Sequence, residues 1–118
     1  MPLLGQKGRR LGRDTGARLA LFRSLVSALI VEERIATTVS KAKEAKKVAD
    51  RVIDLALRND LHARRQIAKL VPDRAVAKRL FATIVPRYQK GRGGYTRIVR
   101  TAPRRGDAAP MALLELVK

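Results

Sequence analysis

The side chains able to do acid–base or covalent chemistry are few in this chain and poorly grouped. His62 is the only histidine and cysteine is absent, so thiolate nucleophiles, disulfides and thiolate metal sites are excluded. His62 falls at the start of a predicted helix with no acid–nucleophile set around it, which suits a solvated or phosphate-facing ring better than a catalytic one. Asp50 and Asp54 are four residues apart and share a helical face, as a general acid–base pair would. Lys46 and Arg58 stand four residues from them on either side, so surface ion pairs account for both carboxylates. Gly91-Arg92-Gly93-Gly94 lacks the Gly-Lys-Ser/Thr of a nucleotide loop and precedes a strand rather than a helix. We therefore expect no catalytic residue, no metal, no cofactor and no small-molecule substrate.

Cations are the abundant chemical resource, and they are segregated. The chain carries 27 Lys or Arg against 10 acids, a net charge of +17. Between Arg74 and Gly106 there are ten cations and no acid, and before residue 24 Lys7, Arg9, Arg10, Arg13, Arg18 and Arg23 face only Asp14. Such a chain repels itself when compact unless a polyanion neutralises it. A solvated face normally mixes signs, which this one does not. Arg87, Lys90, Arg92, Arg97, Arg100, Arg104 and Arg105 form a second candidate phosphate-binding patch. Base stacking has little to draw on: Trp is absent, Phe22 and Phe81 fall on apolar stripes, and only Tyr88 and Tyr95 are left as platforms. Recognition should rest on phosphates, 2′-hydroxyls and shape.

These residues need elements to position them, and 118 residues with 46% hydrophobic content suffice for one aliphatic core. Residues 1–13 mix glycine with cations without apolar period and read as a basic extension, irregular unless a partner orders it; residues 14–118 read as a single domain. Asp14 or Thr15 can cap a first helix with Leu19, Phe22, Val26, Leu29 and Ile30 on one side. Arg34 to Val39 is β-branched and predicts a strand. Ser40 is then the expected cap of a helix with Ala45, Val48, Ala49, Val52, Ile53 and Ala56 inward. Asp60 caps a third helix burying Leu61, Ile67, Leu70 and Val71, and Asp73 a fourth burying Val76, Ala77, Leu80, Phe81 and Ile84, ended by Pro86. Tyr95–Thr101 and Met111–Val117 alternate as a hairpin across an Ala102–Pro110 turn, with Ala112, Leu114 and Leu116 on one face. The order α-β-α-α-α-β-β predicts an α+β two-layer sandwich, its helices on one face of a small three-stranded mixed sheet. The helices on either side of Pro72-Asp73 lack the glycine turn of a helix-turn-helix reader. No apolar run approaches the ~20 residues of a membrane span and no secretory signal is visible, so a cytoplasmic protein with no membrane partner is expected.

Three stretches resemble the family of the bacterial large-ribosomal-subunit protein numbered seventeen, and the likeness covers nearly the whole chain. They are Gly8-Arg9-Arg10-Leu11-Gly12-Arg13 leading into Arg18-Leu19-Ala20-Leu21; Arg34-Ile35-Ala36-Thr37-Thr38-Val39-Ser40-Lys41-Ala42-Lys43-Glu44; and Gly93-Gly94-Tyr95-Thr96-Arg97-Ile98 with Arg104-Arg105-Gly106-Asp107. The resemblance implies a structural protein in the cytoplasmic ribosome. Its partners would be large-subunit ribosomal RNA and neighbouring large-subunit proteins near the mouth of the peptide exit tunnel. It adds Lys41, Lys43 and Tyr95 to the expected RNA-binding set. From the residues alone, a free nucleic-acid-binding accessory, such as a nucleoid or ribosome-associated factor, is the alternative.

Overall fold

A computed structural model describes residues 15–88 and 94–117. Its elements are α1 (Thr15–Glu32), β1 (Arg34–Thr38), α2 (Val39–Arg58), α3 (Leu61–Leu70), α4 (Arg74–Arg79), β2 (Thr96–Thr101) and β3 (Met111–Leu116). The basic extension, Asp14, and the glycine loop with Lys90 and Arg92 lie outside the described residues.

The α+β class and the element order are as expected, with one difference in the sheet. The strands run β1-β3-β2, and both pairings are antiparallel, so the sheet is antiparallel throughout rather than mixed. The last strand inserts between the first two and runs against both; β1 and β2 point the same way but are not neighbours, so no parallel pairing forms. Leu114 sits opposite Ile35 on one side and Ile98 on the other. Ala112, Leu114 and Leu116 are buried against the helices, as the alternation required. The reverse face carries the rows Arg34–Glu115–Arg97 and Ala36–Leu113–Val99.

Local chemistry explains most helix boundaries. Asp60 accepts from the Ala63 N–H at 2.7 Å and Asp73 from the Ala75 N–H at 2.9 Å, both as expected. Ser40 is not a cap. The Val39 N–H instead donates to the Pro110 carbonyl at 3.0 Å, so α2 starts directly from β1 and Ser40 lies in its first turn. Asn59 ends α2 in the left-handed region, φ 53°, donating to Leu55 O at 3.0 Å, a conformation that Asn tolerates better than most residues.

Leu61 corrects the predicted core: it is 66% exposed, and Ala63 is buried in its place. Ala63, Ile67 and Leu70 recur at i, i+4, i+7, and a residue two before Ala63 is turned about 200° from that stripe. The expected fourth helix also divides. After α4, Leu80–Ile84 forms a wide π turn in which Val85 N–H reaches Leu80 O, followed by a 3₁₀ turn over Val85–Arg87. Pro86 cannot extend an α-helix, and the wide turn offsets the drift of i, i+4 positions in a 3.6-residue helix, keeping Val76, Leu80 and Ile84 all inward. Phe81, expected inward, is only half-buried.

Candidate nucleic-acid interface

The fold sorts the expected interface residues into groups of very different availability. Tyr95 is 0% exposed and offers no surface for a base. Gly94, at φ 63°, turns the chain just before β2, so Tyr95 leaves the strand's alternation and points into the core. Its hydroxyl donates to Asp54 at 2.6 Å, and its ring stands edge-on to Tyr88 at 5.1 Å. Tyr88 is buried too, donating to Val117 O. Neither tyrosine is therefore the exposed platform that the aromatic inventory left open. Arg18 is also buried, at 4% exposure on α1, instead of presenting its cation to solvent.

The carboxylates of α2 prove to be assembly points for β2. Lys46 pairs with Asp50 at 2.9 Å, as the spacing suggested, and also donates to Thr96 O at 3.0 Å, while Thr96 Oγ1 donates to Asp50 at 2.9 Å. Asp54 takes the Tyr95 hydroxyl instead of pairing with Arg58, which turns to Asp60 at 3.1 Å. Asp60 thus serves α3 as cap and α2 as counter-ion. The Ala63 N–H, followed by Arg58, holds its carboxyl below the ordinary value.

Arg87 belongs to a cross-link that its sequence neighbours do not announce. Glu33 follows α1 at φ 65°, its N–H bonded to Leu29 O at 2.7 Å and its carbonyl accepting from Leu116 N at 3.0 Å. Its carboxylate accepts from both terminal guanidinium nitrogens of Arg87, one at 3.0 Å, and from Arg79 at 3.3 Å. Arg79 also donates to Ile30 O at 3.1 Å. The hydrogen bond that Arg87 donates to Glu33 raises the Arg87 pKa above its ordinary value. Arg23 plays a similar tethering part, donating to Lys69 O at the end of α3 at 2.8 Å, where cations favour the helix dipole.

Arg97 pairs across the sheet with Glu115 on the open face. At the hairpin tip Arg104 meets Asp107 at 2.6 Å, and Asp107 also accepts from the Ala109 N–H at 3.1 Å. Gly106 at φ 99° and Ala108 at φ 54° complete this turn. The Arg104 hydrogen bond, then the Ala109 N–H, lowers the Asp107 pKa to about 2. Because the folded pKa is depressed, the clip contributes above the ordinary carboxylate range and is lost as pH falls through about 2.

Among the described residues, Lys41, Lys43, Arg100 and Arg105 of the expected set make no ion pair, and Lys43, Arg100 and Arg105 are exposed. The fold adds Arg34, Arg64, Arg65, Arg74 and Lys78, exposed cations that the sequence reading left unselected. The available signal was that Asp73 is the sole acid from Leu61 to Gly106. The described acids are, with the exception of Glu32, occupied in caps, ion pairs or the Tyr95 bond. The arrangement presents a framework knit by its own acids and a surface of uncompensated cations, chemistry suited to phosphate neutralisation. Among the described residues no group of acids or His62 could hold a metal, and no helix is long and apolar enough to cross a membrane.

The family model described as Ribosomal protein L17 matches residues 21–117. The large ribosomal subunit protein bL17 of Symbiobacterium thermophilum is 55% identical over 111 residues, 94% of this chain and 98% of that protein. Its namesake in Trichlorobacter lovleyi is 50% identical over 94% of this chain and 90% of its own length. The Geobacter sulfurreducens bL17 is also 50% identical over 94% of this chain, which spans only 63% of that longer protein.

Proposed function

Since the chain belongs to the ribosomal protein L17 family, we propose that it binds and clamps large-subunit ribosomal RNA near the peptide exit tunnel and so supports subunit assembly. At the coarser level it is a structural protein of the large ribosomal subunit and not an enzyme. The observation that carries the RNA reading is the division of labour among the charges: acids bind the fold's own arginines, while Lys43, Arg100 and Arg105 stay uncompensated. Those three would meet backbone phosphates together with Lys7, Arg9, Arg10 and Arg13 of the basic extension and Lys90 and Arg92 of the glycine loop. Arg104 would reach RNA only in competition with Asp107. The seat near the tunnel mouth rests on the family resemblance.

Fractionation tests the reading. The protein should co-sediment with large subunits through a high-salt wash. Its isolated affinity for large-subunit RNA should fall linearly in log K against log salt, by about 0.7–0.9 per phosphate contacted. A flat salt response, or recovery with DNA in place of large subunits, would overturn it.

A further inference from the structure

Between α3 and α4 lies an open groove of about 260 Å³ whose apolar floor includes Ala68, Pro72, Ala77 and Phe81, with Arg64 and Arg74 at its rim. Its size is just below the ~300 Å³ at which sites for drug-sized molecules begin, the scale of a single heterocycle. Phe81 is not consumed by the core: it is half-buried, at the start of the π turn, and the Arg64 guanidinium lies over its ring, 4.7 Å from the centroid. The ring holds a planar cation at the groove's edge. The one acid of this region, Asp73, is turned to the Ala75 N–H.

An apolar floor with an arginine rim is an unusual seat for an aliphatic side chain, which gains nothing from the cations. It matches a nucleotide, whose base is planar and weakly hydrated and whose flanking phosphates are anionic. We propose that this groove receives one unstacked RNA base, stacked against the Arg64 guanidinium that Phe81 positions, with an adjoining phosphate at Arg74. The proposal rests on the RNA reading above and adds to it a base-binding pocket in a surface otherwise suited to phosphates alone. Unpaired bases are commonly taken by proteins in this way, against aromatic rings or arginine planes.

The test uses the full chain and large-subunit ribosomal RNA. Arg64→Lys keeps the charge and removes the plane; Phe81→Leu keeps apolar bulk and removes the ring, and Arg64→Lys at an exposed position stands alone if Phe81→Leu folds poorly. Each should weaken binding roughly 5-fold or more, as expected for one lost base stack, while the slope of log K against log salt stays that of the wild type. Base-specific chemical probing should show an unpaired base protected by the wild type and re-exposed with Arg64→Lys, with backbone protections elsewhere intact. Wild-type affinity and base protection in both variants would overturn the proposal. So would an Arg64→Lys protein that binds RNA normally yet enters subunits poorly, which would assign the groove to a protein neighbour. A wild type without salt-dependent RNA binding would remove the RNA reading itself, and this pocket with it.

Discussion

The Glu33 node and the tip of the β2–β3 hairpin are made of the same groups, carboxylate and guanidinium, yet they do opposite things with them. At the node Glu33 is 23% exposed in its side chain and joins Arg79 and Arg87, 46 and 54 residues away, to the end of α1. At the tip Arg104 and Asp107 are about half exposed and three residues apart. The first cluster joins segments far apart in the chain through one carboxylate that is less exposed than the tip's; the second only shapes a turn in open solvent, where ion pairs contribute little. Arginine content is therefore a poor guide to which cations this fold leaves available. What separates framework cations from available ones is whether the fold supplies an acceptor, carboxylate or carbonyl, within reach.

The sharpest way to break the comparison is at the node. Glu33→Ala should cost about 1–2 kcal/mol, above a single exposed pair because it strips two arginines of a shared acceptor and below a buried one because the arginines stay partly in water. Urea unfolding measures it, and a loss under about 0.5 kcal/mol would reduce the node to a surface pair. A smaller effect is expected at the buried tyrosine. Tyr95→Phe removes the bond to Asp54 and should lower stability by about 1 kcal/mol with RNA affinity unchanged; weakened RNA binding at intact stability would return Tyr95 to the interface. The least effect on folding belongs to the tip, where Arg105→Ala and Asp107→Ala should leave the melting temperature unmoved yet shift the salt dependence in opposite directions. The first should flatten the log K–log salt slope by about one unit, and the second, releasing Arg104, should steepen it. Identical slopes in both variants would remove the tip from the contact surface.

Elements governed by near neighbours were legible in advance. Asp60 and Asp73 could be read as caps because the N–H groups they accept from lie three and two residues on. Ala112, Leu114 and Leu116 followed from a two-residue period. Leu61 misled because apolar character was taken for inward direction, although its angle on the helix opposes the stripe of Ala63, Ile67 and Leu70. Ser40 misled because the first N–H of α2, that of Val39, is met by the Pro110 carbonyl from the far end of the chain. The candidate site was legible as charge and illegible as geometry. Arg18, Arg87 and Tyr95 read as interface residues, and the fold places Arg18 and Tyr95 in the interior and Arg87 against Glu33.

By itself the sequence determined the segregation of charge, the aliphatic core, the Asp60 and Asp73 caps and the α+β order, since each depends on composition or on contacts a few residues apart. Only the tertiary structure decided that β3 lies between β1 and β2, that Phe81 stays half-open beneath Arg64, and which arginines keep an uncompensated charge. Coulomb attraction acts through space and weakens with distance. A carboxylate 54 residues away in the chain can therefore neutralise a cation that nothing in its own neighbourhood would pair.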